Sequence, residues 1–167
     1  MIETLRLQIR PLSVAQLKKY ACSPDDLAGE MDVISSEMPM AEEVRDAILI
    51  DLLPYVADHE KDPMFYTFWI IIEKDRKAVI GGFCFHGEPD ENGEVEIGYG
   101  IDEPFQNQGY MSETIAGFIH WLAENPTVKT VKAETGADNL PSVRVLERNG
   151  FKLFQLVGNN LILKLEL

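Results

Sequence analysis

Glu94-Val95-Glu96-Ile97-Gly98-Tyr99-Gly100-Ile101 continues through Asp102 to Phe105 into Gln106-Asn107-Gln108-Gly109-Tyr110-Met111-Ser112-Glu113. The first eight residues alternate as a strand, with Val95, Ile97, Tyr99 and Ile101 on one face and Glu94, Glu96, Gly98 and Gly100 on the other. The glycines leave space for a ligand beside that second face. From Gly109 to Glu124 the period becomes helical: Ile115, Phe118, Ile119 and Leu122 share one stripe, and Asn125-Pro126 ends the element. A strand therefore feeds a helix through a short polar loop. The first N–H groups of a helix have no internal partner and sit at its positive dipole end, so this loop suits a pyrophosphate, and Gly109 lets the backbone come close. Every helix has such an end, and the loop alone is a weak signal. A Rossmann fingerprint is absent, because Gly98 and Gly100 lie within the strand and Glu103 occupies the third glycine's place. A P-loop would need a Gly-Lys-Ser/Thr that does not occur.

Outward from this stretch the chain alternates short elements. Leu5, Leu7 and Ile9 alternate with Arg6, Gln8 and Arg10 up to Pro11, a half-buried strand. Ser13 and Gln16 form a capping box for a helix carrying Val14, Leu17 and Tyr20, which ends at Ser23-Pro24-Asp25-Asp26. Residues 25–38 fit either another helical turn or a loop. Pro39 to Ala57 reads as a helix with Glu42 and Glu43 near its positive end and Pro54 as a kink or stop. Three runs, Phe65 to Glu73, Ala78 to His86 and Val95 to Ile101, form a meander of two hairpins. After the central helix come a strand at Val128 to Glu134 and a helix at Pro141 to Arg148 stopped by Gly150. Two final strands at Phe151 to Val157 and Leu161 to Leu167 turn at Asn159-Asn160. The expected fold is α/β: a single domain over residues 1–167, with a mixed, mostly antiparallel twisted sheet of about seven strands flanked by helices.

Composition narrows the function classes. At 167 residues with 46% apolar content the chain can bury a core. Its 15 Lys plus Arg against 28 Asp plus Glu give a net charge of −13, which opposes binding to a phosphate backbone or an anionic membrane. The expectation is no nucleic-acid and no membrane partner, with a cationic partner favoured over an anionic one. No apolar run approaches the ~20 residues of a bilayer span, and Met1-Ile2-Glu3-Thr4-Leu5-Arg6 lacks a signal-peptide layout, so the expected location is cytoplasmic. Cys22 and Cys84 have no metal-type spacing, and Cys84 reads as a reduced, buried thiol; neither a disulfide nor a metal site is expected.

Gln106-x-x-Gly109, preceded by Glu96-Ile97-x-Tyr99, resembles the acetyl-CoA motif of the GNAT N-acetyltransferase superfamily. Asn139-Leu140-Pro141-Ser142-Val143-Arg144-Val145-Leu146-Glu147-Arg148-Asn149-Gly150-Phe151 is similar to the family's later Asn-x-x-Ser helix ending in Gly-Phe. Thr4-Leu5-Arg6-Leu7-x-x-Arg10-Pro11-Leu12 and Gly98-Tyr99-Gly100-Ile101 narrow the resemblance to the ribosomal-protein N-acetyltransferase (Rim-type) branch. It implies the GNAT fold, in which two neighbouring strands splay apart to admit pantetheine, here between Val95 to Ile101 and Val128 to Glu134. It also implies acetyl-CoA as acetyl donor, bound by Ile97, Tyr99, Ile101, Gln106, Asn107, Gln108, Gly109, Tyr110, Met111, Ser112, Asn139 and Ser142. Two positions depart from the pattern: Met111 replaces a small residue, and Leu146 replaces the tyrosine that commonly donates a proton.

The implied activity is direct acetyl transfer to a primary amine, with a protein N-terminal α-amino group as the first expectation. A small cationic amine, such as a polyamine or an antibiotic, is the alternative acceptor, and a non-catalytic acetyl-CoA sensor is the alternative class. An amine must lose a proton before it attacks, and Glu96 matches the position of a general-base glutamate in several family members. Without the resemblance, Glu94 and Glu96 read as an ordinary solvated strand face. Ser142 matches a hydroxyl suited to protonating the leaving thiolate, and Asn139 doubles as a helix N-cap. A backbone N–H in 98–101 would serve the oxyanion if the strand bulges there. His59 and His120 lack clustering, His86 at a strand end is the outside candidate, and Phe65-Tyr66-x-Phe68-Trp69 reads as core. Both monomer and homodimer are compatible with the pattern.

Overall fold

The computed structural model describes residues 1–36, 38–56 and 61–167. Its strands are β1 (Ile2–Glu3), β2 (Leu7–Pro11), β3 (Phe68–Glu73), β4 (Ala78–Phe85), β5 (Glu94–Ile101), β6 (Thr130–Gly136), β7 (Lys152–Val157) and β8 (Asn160–Glu166). They form one sheet in the order β1-β2-β3-β4-β5-β6-β8-β7, antiparallel at every step except β5 to β6, which run parallel. The strand beyond the seven expected is the two-residue β1. The last hairpin turns on Gly158 and Asn159, with Asn160 already paired to Val157.

The helices are α1 (Val14–Cys22), α2 (Pro24–Glu30), α3 (Glu42–Asp46), α4 (Leu53–Val56), α5 (Tyr110–Leu122) and α6 (Leu140–Arg148). Ser13 and Gln16 do form the reciprocal capping box of α1. Ser23-Pro24-Asp25-Asp26 starts a new helix instead of a turn, because proline at the first helical position loses no hydrogen bond and the two aspartates face the positive end. Pro54 does not break its helix. A π-helical segment (Ala47–Leu52), in which the Leu53 N–H reaches the Ile48 carbonyl, widens the coil just before the proline and joins α3 to α4.

Two apolar layers cover the sheet. On one face, α5 and α6 bury Ile115, Phe118, Leu122 and Leu146 against Trp69, Phe83, Phe85, Val95 and Ile97. Phe83 lies 5.0 Å from Phe118 and 5.5 Å from Trp69 between ring centres. On the other face, α1 to α4 place Leu17, Leu27, Ile48 and Leu52 over Phe68, Ile70, Ile72 and Val79. All six residues of β3 are buried because this strand has a helical layer on both sides. The aromatic run divides accordingly, with Phe65 and Trp69 in the first layer and Phe68 in the second.

Phe118 is fully enclosed at the centre of the aromatic cluster. Phe118→Ala should cost about 3–5 kcal/mol and lower Tm by on the order of 10 °C, measured by urea and thermal unfolding.

Candidate active site

The pairing of β5 with β6 runs from Glu94 and Thr130 only to Ile97 and Ala133. Beyond that point β5 stays on β4 as far as Ile101, and β6 stays on β8 as far as Gly136, so the two central strands part. This is the opening expected between these segments. The β4–β5 ladder, in which His86 N–H bonds the Glu96 carbonyl, turns the backbone groups of Glu96, Gly98 and Gly100 toward β4. Those of Tyr99 and Ile101 therefore point into the opening. Gln106 Nε2 caps the Ile101 carbonyl at 3.1 Å. The β4–β5 register is unbroken; the register shifts lie in the β3–β4 pairing at Ile71/Ile72 and the β7–β8 pairing at Leu153/Gln155. An N–H is thus presented by divergence of β6, without a bulge in β5.

Because α5 follows β5 and α6 follows β6, both helices begin at this opening. Gly109 caps α5 in the left-handed region at φ 81°, and Asn107 is also left-handed at φ 58°. The first intrahelical bond is Glu113 N–H to the Gly109 carbonyl, which leaves the N–H groups of Tyr110, Met111 and Ser112 without a helical acceptor. Met111 buries its side chain in the core, so its size does not obstruct the loop. Tyr110 is buried too, Gln108 Nε2 donates to the Pro104 carbonyl, and Ser112 Oγ accepts from Asn149 Nδ2 at 3.0 Å. Ile97 lies in the core as the last residue paired with β6.

On α6, Asn139 Oδ1 accepts the Ser142 N–H at 3.3 Å. Ser142 Oγ is 2.8 Å from the Tyr99 hydroxyl, so a hydroxyl pair spans the opening. Burial holds the Tyr99 phenol above its ordinary value, and the Ser142 bond acts the other way. Leu146, in the position without a tyrosine, is fully buried.

The opposite face of β5 is not simply solvated. Glu96 Oε2 is 2.5 Å from Lys132 Nζ, its direct partner across the β5–β6 pair, and Glu96 Oε1 is 3.2 Å from His86 Nδ1. Glu96 in turn holds the Lys132 ammonium above its ordinary value. His86 Nε2 leans over Gly98; a methyl built there would be 3.0 Å from it. Glu94 pairs with Lys164 at 2.5 Å.

Next to His86 a cavity of about 590 Å³ opens over the backbone of Gly98 and Gly100, with Gly82 at its edge, below α1, α2, α3 and residues 33–36 and 38–41. The Phe68 ring covers Gly82 and stacks on Tyr20 at 5.4 Å. Ser36 Oγ donates to Asp102 at 2.6 Å and ties the overlying segment to the end of β5. Burial raises the Asp102 carboxyl against this bond, and burial together with Asp102 pushes Tyr20 up to about 12. Cys84 lines the cavity as a thiol pushed up to about 11, chiefly by burial, which makes it a poor nucleophile. His120 is exposed on α5 and His59 lies outside the described residues. Among the described residues no group of three or more His, Cys, Asp or Glu side chains could hold a metal ion, and no helix is long and apolar enough to cross a membrane.

Sequence reasoning did not pair His86 with Glu96, nor Arg6 with the α5 start. Arg6 Nε bonds Glu113 at 2.7 Å, its Nη1 donates to the Gln108 carbonyl at 3.0 Å, and its guanidinium lies 4.3 Å above the Tyr110 ring. Thr4 Oγ1 and the Arg6 N–H bond the same carboxylate, at 2.6 and 2.8 Å.

Residues 6–152 match the acetyltransferase (GNAT) domain model, and the chain belongs to the GNAT family. It is 39% identical over 88 residues, 53% of this chain and 52% of the relative, to the uncharacterised N-acetyltransferase YjdG of Bacillus subtilis. It is 33% identical over 89 residues, 53% of this chain and 49% of the relative, to the ribosomal-protein-serine acetyltransferase of Escherichia coli. The chain thus spans about half the length of these curated relatives. Its fold is similar to that of the RimL ribosomal α-N-protein acetyltransferase solved with coenzyme A, at TM-score 0.65 and 17% identity, covering 98% of this chain and 96% of that one.

Burial alone would raise the Glu113 carboxyl, but the Thr4 and Arg6 hydrogen bonds and the guanidinium charge outweigh it and lower the value. A lowered folded value means the stabilisation is complete above the ordinary 4.5 and fades as pH falls through the folded one. Glu113→Gln should cost about 1–2 kcal/mol at pH 7, discounted for the half-exposed guanidinium, and make the acid limb of stability below pH ~4.5 shallower, measured by urea unfolding against pH.

Proposed function

We propose that this protein is an acetyl-CoA-dependent N-acetyltransferase acting on a primary amine, specifically a protein N-terminal α-amino group, in the cytoplasm. The observation that carries the reading is the parting of β5 from β6 beside the unpartnered N–H groups of α5. The gap fits a pantetheine arm entering alongside Tyr99 and Ile101, and the Asn107 to Ser112 backbone fits a pyrophosphate. When bound, acetyl-CoA supplies the acetyl group as an activated thioester.

The chain's own groups fit the other requirements. An α-amino group, with a reference pKa near ~7.7–8.0, is neutral far more often at neutral pH than lysine near ~10.4, which favours it as the acceptor. As the N–C bond forms, the amine loses a proton. His86 Nε2, over Gly98, stands to take it, while Glu96 fixes the imidazole through Nδ1 and balances the imidazolium charge. Lys132 keeps the Glu96 carboxylate in place on the strand. The Tyr99 N–H offers a donor where the carbonyl oxygen gains charge. Ser142 Oγ, backed by the Tyr99 phenol, holds a proton where the sulfur leaves.

Calorimetric titration should give micromolar binding of acetyl-CoA, weaker binding of CoA and none of ATP; absence of acetyl-CoA binding would refute the assignment. Glu96→Gln and His86→Asn should each lower the acetylation rate at least tenfold with acetyl-CoA affinity unchanged within twofold, and an unchanged rate in either variant would remove that residue from the proton path.

A further inference from the structure

We infer that the acceptor begins with a large apolar residue, whose side chain enters the cavity over Gly98 and Gly100 while its α-amino group rests at His86; this rests on the acetyltransferase reading above. The cavity adjoins the proton acceptor along the strand itself. Cys84 and Gly98 are paired, as are Gly82 and Gly100, so His86, Gly98 and Gly100 follow one another on a single face of the β4–β5 ribbon. A residue with its amine beside His86 can lay its side chain along the glycine floor.

Walls and volume define what fits. Tyr20, Leu27, Met31, Met40, Ile48 and Phe68 line the interior. Its carboxylates, Glu43, Asp102 and Glu103, come from the α3 start and the end of β5, and Asp102 is already bonded to Ser36. A strand rises about 3.3 Å per residue, which puts Asp102 roughly 13 Å from Gly98, too far to meet the reacting amine. At about 590 Å³ the space lies within the ~300–1,000 Å³ of ordinary ligand pockets and admits the largest side chains. A serine or alanine side chain would leave the apolar walls wet, whereas Leu, Met or Phe would cover more of them and displace more water. The apolar interior walls offer little to successive peptide units, so one apolar side chain enters and the chain leaves past the rim. The net charge of −13 draws an N-terminal ammonium toward the site.

Gly100 allows a direct test, since a Cβ added there meets no atom within 4 Å. Peptides of one sequence starting with Phe, Leu, Met, Ala or Ser would be compared by kcat/KM with acetyl-CoA, alongside free phenethylamine and spermidine. The expected result is at least a tenfold preference for Phe, Leu or Met over Ser and Ala, equal to about 1.4 kcal/mol. Gly100→Leu should reduce the Phe-over-Ala preference in kcat/KM at least fivefold and retain acetyl-CoA binding and the unfolding temperature. Equal or better use of Ser or Ala, acetylation of either free amine in preference to every peptide, or no change in preference on filling the cavity would overturn the inference and leave the transferase assignment standing. Failure to bind acetyl-CoA would overturn both.

Discussion

The structure depends on one parallel step in an otherwise antiparallel sheet. A parallel neighbour requires a crossover, and α5 supplies it between β5 and β6. Both strands then end on the same side, and both following helices start there. Once the ladder stops at Ile97 and Ala133, each central strand is held only by its outer neighbour, and the seam exposes backbone groups that a continuous sheet would consume. Binding capacity at this site is a consequence of unfinished pairing. Gln106, Tyr99 and Ser142 close part of the gap with side-chain hydrogen bonds, and the remaining polar groups face the space a ligand would take.

The same strand makes two sites because its two faces carry different residues. Tyr99 and Ile101 continue the core pattern toward α5 and α6, while Gly98 and Gly100 remove side chains from the other face. Removing them creates volume only because α1 to α3 are held away by their own supports: Phe68 on Gly82 and Ser36 on Asp102. A ligand on one face and an acceptor on the other can meet only where β5 is bare and unpaired on its β6 side, around Gly98 and Tyr99.

Period-two and helical patterning made the meander, the central helix and the glycine-bearing strand legible, because each is a local property of consecutive residues. The motif spanning Glu96 to Gly109 likewise placed the opening between the correct strands. The continuation of the helix through Pro54 was not legible, since the π turn that absorbs it depends on how the helix packs. The pairs Arg6 with Glu113 and His86 with Glu96 escaped for a different reason. They join residues far apart in the chain or across a hairpin, where nothing in local spacing marks one as the other's partner; α2 is the helical one of the two readings left open for residues 25–38, its start masked by turn-prone residues that are equally good helix starters.

Charge is organised differently near the site than over the whole molecule. Lys132 and Lys164 lie directly opposite each other on β6 and β8, an unfavourable pairing that is relieved because each bonds a carboxylate of β5, Glu96 and Glu94 respectively. The two glutamates are therefore fixed by a lattice of alternating charge across three strands, even though the protein as a whole is strongly acidic. A glutamate so anchored cannot swing toward a substrate without leaving Lys132 beside Lys164 unneutralised. His86 has no such obligation: its Nδ1 is held by the same glutamate and its Nε2 stands free over the glycine floor, so the fixed carboxylate acts through a ring that can reach the acceptor.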